Sequence, residues 1–282
     1  MSSKVTKRKH DRRRLKRWKQ LGFGGKVWRV VWVTFVSLWL FTVLQVVVYK
    51  FVMPPITPHM ISRYFQQRRD PSRQVRFERE YVSIDDISPN LINATLIAED
   101  WLFAYHQGFL FYGLHRAYLD NKQGLNWRGG STITQQTAKN CFLPFDKTLL
   151  RKVIEAHYTF LIEKIWGKKR IMECYLNVVE FGDGIYGCEA ACRHYFHHSS
   201  KTISIEEAVS LAAMLSSPLN SDPYHHTDLY DLRIAKIEKY IYNQTPTRWD
   251  QKREEMDPVK SAEGNRGLFY FLKWWCLRQI KN

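Results

Sequence analysis

Residues 128–140 read RGGSTITQQTAKN, and the organisation of the body can be worked outward from them. Gly129-Gly130 breaks the chain, Ser131 or Thr132 supplies an N-cap oxygen, and Ile133 opens an apolar period of helical spacing. A helix is predicted over 132–143. Downstream, the same period returns over 147–166, 168–178, 186–196 and 204–215. Upstream, Ser88-Pro89 marks another helix start, with Leu91, Ile92, Thr95, Leu96 and Leu102 along one face. Gly124, Gly182, Gly184 and Gly187 punctuate between these segments. Long runs of strand alternation are absent. A mainly α body is expected, ending near residue 245, with a separate piece over 246–282.

The charge is uneven. The 282 residues carry a formal net charge of +16. Residues 1–29 hold 12 Lys or Arg and one acid, Asp11, so +11 of the excess lies in a short tail. A nucleic-acid-binding domain holds its charge on a folded face, so no nucleic acid is expected as a partner. Next comes VVWVTFVSLWLFTVLQVVVY, Val30 to Tyr49, with no charge in 20 residues. That length spans the hydrocarbon core as a helix. Arg29 and Lys50 flank it, and Trp28, Trp32 and Tyr49 suit the interfaces. A buried core helix and a cleaved signal peptide are the alternatives; Met53-Pro54-Pro55 follows where a small-residue cleavage site would stand. The division expected is a basic cytoplasmic tail over 1–29, a transmembrane helix over 30–49, a body over 50–245 and an aromatic extension over 246–282. The basic excess before the span predicts an inside N-terminus and an outside body. Anionic lipids of the inner leaflet attract such a tail by about 1 kcal/mol per basic residue.

The chemistry candidates follow in order. Glu99-Asp100 ends an apolar helix face, with Phe103, His106 and Gly108 behind it. Glycines before Ser-Thr at a helix start leave N–H groups open to a phosphate. Gln135 and Gln136 can donate to oxygens, and Lys139 stands one turn on from Gln135. Arg151 and Glu155 share a face at i,i+4. Each piece also has a plain reading. Glu99-Asp100 alone is a solvated helix end. Arg151 with Glu155 alone is a surface ion pair of small worth. Gly-Gly-Ser-Thr alone is an N-cap, and Asn177 a packing residue. Together, two separated glutamates, an anion-ready turn and several cations suit acid–base chemistry on a sugar pyrophosphate. Five cysteines without a CxxC, among them Cys188 and Cys192 at i,i+4, read as small apolar packing residues. His194, His197 and His198 lack the carboxylate or cysteine pattern that would complete a metal site.

Five blocks then carry a resemblance: EDWLFAYHQG (99–108), RGGSTITQQTAKN (128–140), RKVIEAHYTFLIEK (151–164), KKRIMECYLNVVEFGDGIYGCEAACRHYF (168–196) and ISIEEAVSLAAMLSSP (203–218). From about Val82 to Gln244 the chain resembles the family 51 peptidoglycan glycosyltransferases, and among them the monofunctional biosynthetic transglycosylases. Departures occur at Trp101-Leu102, Cys141 and Gly167, and none removes a candidate catalytic group. The resemblance implies a mainly α, lysozyme-like, two-lobed domain on one N-terminal transmembrane helix, with no transpeptidase module. It implies polymerisation of lipid II onto a nascent glycan strand at the bacterial inner membrane, the catalytic domain lying on the periplasmic side. Glu99 is then the general base and Glu155 the carboxylate beside the leaving group. Asp100, His106, Arg128, Ser131, Thr134, Gln135, Gln136, Lys139, Arg151, Lys152 and Asn177 would bind substrate. Mg²⁺ or Mn²⁺ is a candidate aid, and no organic cofactor is implied. Membrane lipids and other cell-wall synthesis or division proteins are the partners to expect. Gly108-Phe109-Leu110-Phe111-Tyr112-Gly113-Leu114, with Arg116 and Lys122 near headgroups, reads as a membrane-dipping segment or as ordinary core. The rival functions are a lysozyme-like lytic enzyme and a non-enzymatic scaffold. In the extension, Leu268, Phe271, Leu272 and Trp275 share a helix face that either packs on the domain or lies in the membrane interface.

Overall fold

The computed structural model describes residues 22–110, 130–144 and 148–242. It divides into two units, Met1–Val48 and Tyr49–Asn282. In the first unit the expected anchor is helical: α1 spans Phe23–Phe51 and starts seven residues before Val30. Among the described residues it is the one helix long and apolar enough to cross a membrane. Trp28, Val31, Phe35, Leu38 and Phe41 stand exposed along it, which is consistent with a membrane anchor.

The body is mainly helical, as expected. Its helices are α2 (Pro58–Arg69), α3 (Pro89–Glu99), α4 (Ile133–Phe142), α5 (Leu149–Ile165), α6 (Lys168–Val178), α7 (Cys188–Phe196), α8 (Ile205–Met214) and α9 (Asp228–Ile241). Their starts follow local chemistry. Thr57, Ser88, Thr132, Thr148, Ser204 and Thr227 each accept a backbone N–H of the first turn. Pro58 and Pro89 sit where the helix has no use for an N–H. Thr132 with Gln135, and Ser204 with Glu207, close reciprocal capping boxes.

Two sequence expectations need correction. The helix after Ser88 ends at Glu99, with Asp100 as its C-cap, so Leu102 lies in the following turn rather than on the helix face. A small sheet is also present: β1 (Glu78–Arg79), β2 (Glu180–Gly182) and β3 (Ile185–Tyr186), in the order β1-β3-β2. β1 runs parallel to β3 and β2 antiparallel to it. Strands of two or three residues are too short to show a period of two, which is why no alternation announced them. Gly187 leaves β3 at φ +84°, and a Cβ there would stand 3.0 Å from the Asn177 carbonyl oxygen.

Two helical groups form the core. α3 packs on α8 and α9, and α4 packs between α5 and α6. Ala208, Ala212 and Ala213 are fully buried on α8 and allow α3 to come close. Ile133, Ile162, Ile171 and Leu176 fill the other group; each such side chain contributes about 1.5–3 kcal/mol on burial. Arg63 of α2 reaches Glu180 of β2 with two 2.8 Å hydrogen bonds and ties the segment after the anchor to the sheet. The extension over 246–282 lies outside the described residues, as do residues 111–114, Arg116 and Lys122 of the expected membrane-dipping segment.

Candidate active site

Glu99 is the last residue of α3, where that helix meets α4 and α9. Its Oε2 accepts a 2.7 Å hydrogen bond from Nε2 of Gln136 on α4. Its Oε1 accepts from Arg233 on α9, at 3.2 Å. Tyr175 on α6 in turn donates to Oε1 of Gln136, at 3.2 Å. Three helices therefore orient one carboxylate, which is no solvated helix end. Burial first, and then the charges of Glu99 and Asp100, push the Tyr175 phenol well up, so it serves as a donor.

Asp100 and His106 do different work. The Gly108 N–H donates to His106 Nδ1, 3.0 Å away, which leaves the ring proton on Nε2. Nε2 then donates to the Asp100 carboxylate, 2.8 Å from Oδ2. Asp100 Oδ2 also accepts the Ile133 N–H at the start of α4, a favourable place for an anion. Gly108 sits at φ +84°, and a Cβ there would come within 2.8 Å of Thr159 and Glu163 side chains. Asp100, His106 and Gly108 thus fasten the turn after Glu99 to α4.

The start of α4 is only partly open as a phosphate cradle. The Ile133 N–H goes to Asp100, and the Gln135 N–H goes to the Thr132 hydroxyl. Thr132, rather than Ser131, is the cap, and Gln135 Oε1 is used by the Thr132 N–H. Charged side chains nearby are also placed to meet an anion.

Those side chains gather around Glu155. It is only 2% exposed, so its pair with Arg151 is not the ordinary surface pair its spacing allowed. Arg151 Nη1 donates to Oε2 at 2.6 Å, and Lys152 Nζ to Oε1 at 2.5 Å. Lys152 also reaches the Ser131 hydroxyl at 3.3 Å, which brings Ser131 to the cluster. Lys139 lies on α4 three residues beyond Gln136. Its ammonium is pushed below its usual range, by burial first and by Arg151 and Lys152, against the pull of Glu155 and Glu99. Among the described residues it has no hydrogen-bonded partner. Buried Arg151 Nε and Arg233 Nη1 also lack a partner there. Lys139, Arg151, Lys152 and Arg233 place four cations against the two carboxylates Glu99 and Glu155.

Two candidates are engaged elsewhere. Asn177 is fully buried; its Oδ1 accepts the Val82 N–H and its Nδ2 donates to the Val82 and Glu173 carbonyls. It clamps the chain beside β1, as the packing reading held. Thr134 is buried and donates to Glu163, which Lys168 also holds. Arg128 lies outside the described residues. Arg233 and Tyr175 were not foreseen from sequence. Thr227 ahead of Asp228, with Tyr230 and Ile237 one heptad apart, would have signalled α9, but nothing local marks Arg233 as Glu99's partner.

A divalent cation fits this donor set poorly. Both Glu155 oxygens already accept from cations, and no group of three His, Cys, Asp or Glu is placed to hold a metal among the described residues.

Comparison with known proteins agrees with the five blocks. A family model described as Transglycosylase matches residues 68–242, starting ahead of Val82. A biosynthetic peptidoglycan transglycosylase of Caulobacter vibrioides is 44% identical over 203 residues, covering 72% of this chain and 81% of the relative. One from Haemophilus influenzae (strain ATCC 51907 / DSM 11121 / KW20 / Rd) is 40% identical over 224 residues, covering 79% and 89%. One from Shewanella denitrificans is 47% identical over 163 residues, covering 58% and 71%. With its lysozyme-like helical body and its paired glutamates on separate helices, this chain belongs to the transglycosylase family.

Proposed function

We propose that this protein is a peptidoglycan glycosyltransferase that polymerises lipid II into β-1,4-linked glycan and releases undecaprenyl pyrophosphate. The observation that supports the reading is Lys139, a partly buried cation that has no hydrogen-bonded anion among the described residues and feels both Glu99 and Glu155. Among the described residues, a guanidinium nitrogen without a hydrogen-bond partner lies beside each of those glutamates. A site with four cations, two carboxylates and three unused donors suits a ligand that brings its own negative charge, as a sugar pyrophosphate does.

In this mechanism the acceptor's 4-hydroxyl attacks the donor's anomeric carbon. The anomeric C–O bond to the pyrophosphate breaks, and the configuration inverts. Glu99 takes the hydroxyl proton. Gln136 and Arg233 aim its carboxylate, and each oxygen keeps a lone pair for that proton. Lys139, Arg151 and Lys152 meet the charge that develops on the leaving pyrophosphate. Glu155 sets the positions of Arg151 and Lys152 rather than facing the pyrophosphate bare. α1 would hold the body at the bilayer where the lipid substrate lies, with the basic tail inside and the body outside.

The test is direct. Full-length protein in detergent should convert labelled lipid II to polymer. Glu99→Gln should polymerise at least ~100-fold more slowly while remaining folded. Near-normal turnover by that variant would refute the base assignment. Shortening of glycan without polymer formation would mean a lytic enzyme instead.

A further inference from the structure

We propose that Cys141 and Cys174 form a disulfide bond that staples α4 to α6. The two sulfurs are 3.3 Å apart, on different helices and 33 positions apart in the chain. Both side chains are fully buried, and among the described residues theirs is the one sulfur–sulfur contact. A closing movement of little more than 1 Å brings such a pair to the usual S–S distance of about 2.05 Å. α4 packs directly along α6. Burial first, and then Cys174, push the Cys141 thiol well above its usual range, with Arg79 and Arg170 acting the other way. Cys188 and Cys192, both on α7, are withdrawn from solvent, their thiols pushed well above the usual range by burial first. They remain packing residues.

The oxidant is a disulfide of the extracytoplasmic thiol-exchange class. One Cys thiolate attacks it and displaces one thiol; the second Cys attacks the mixed disulfide and displaces the other. Two protein thiols are oxidised and one external disulfide is reduced to two thiols. The proposal rests on the body lying outside the membrane, where such oxidants persist. The consequence falls on the site: Tyr175 follows Cys174, and Gln136 and Lys139 precede Cys141 on α4. The staple therefore fixes the Tyr175–Gln136–Glu99 chain.

The test has two arms, both with the full chain. In the first, protein from cell membranes is quenched in acid, alkylated without reductant and digested with trypsin. Peptide 140–147 should appear joined to peptide 171–193, lighter by two hydrogens than the two reduced peptides, with fragmentation placing the link at Cys174. Cys141→Ser should abolish it. In the second, reduced protein in detergent is refolded in oxidised and reduced glutathione at a secretory poise. Alkylation of both Cys141 and Cys174 in this second arm overturns the proposal, as does a link from Cys141 to Cys188 or Cys192. A link in the second arm but not in the first supports the bond and overturns the outside location of the body. Reductant should lower the melting temperature of the wild type by roughly 5–15 °C and leave the Cys141→Ser/Cys174→Ser double variant unmoved. An equal fall in both would overturn the staple.

Discussion

Replacing Lys139 by Met separates function from stability. The side chain stands in a partly buried position on the last turn of α4, with its pKa lowered by burial first and by Arg151 and Lys152. Met keeps the apolar stem and removes the charge. Since the ammonium has no hydrogen-bonded partner among the described residues, no bond is lost with it. The folded state should be unchanged or more stable by up to ~1 kcal/mol, a melting shift of about 0 to +4 °C for a domain of this size. Catalysis should go the other way. Loss of one preorganised donor to developing charge costs about 10²–10³ in kcat, so lipid II polymerisation should fall by that factor.

The pH dependence has a definite sign. A lysine whose folded pKa lies below its unfolded value destabilises the fold most when both states are protonated. The penalty is relieved as pH rises through the folded pKa toward the unfolded one. Lys139→Met should therefore gain most over wild type near neutrality, and less as pH climbs toward the ordinary lysine range. The assays are a thermal melt at several pH values and a labelled lipid II gel. A Lys139→Met chain that melts several degrees lower would make Lys139 a structural cation. One that polymerises at the wild-type rate would remove it from the pyrophosphate reading.

Glu155→Gln should cost activity and also about 1–3 kcal/mol of stability, because a buried carboxylate that holds two cations is lost; a melt unchanged within 1 °C would return the pair to the surface class. Arg233→Met should lower kcat by at least ~10-fold with little change in KM, since it orients Glu99 rather than binding substrate, and rise in KM alone would contradict that placement. Asn177→Ala should lower stability by about 2–3 kcal/mol through three lost backbone hydrogen bonds, with specific activity of the surviving folded protein retained. If Asn177→Ala folds normally and fails to turn over, it belongs to the site after all.

The clearest gap between sequence and structure lies at the start of α4. Gly-Gly-Ser-Thr announced a helix N-terminus correctly, and local chemistry also offered it as an anion cradle. Asp100 took one of its N–H groups from 33 positions upstream, a partnership that no local pattern encodes. Glu155 shows the converse. The i,i+4 spacing to Arg151 was visible, but the spacing is the same on a surface helix, and only the packing of α4 against α5 makes the pair buried.

The sequence by itself determined the apolar N-terminal helix, the mainly helical body, the helix starts after Ser88 and at Ser131-Thr132 and the two glutamates, because these depend on length, on period and on residue blocks a few positions long. The tertiary structure decided what those groups touch. It joined Arg233 to Glu99 across 134 residues, left Lys139 among four charges without a bonded anion among the described residues, withdrew Asn177 and Thr134 to structural duties, and set Cys141 against Cys174. Such pairings are set by how helices pack, and packing sums many weak apolar contacts over the whole body. A functional group's partner is therefore written nowhere near it in the chain.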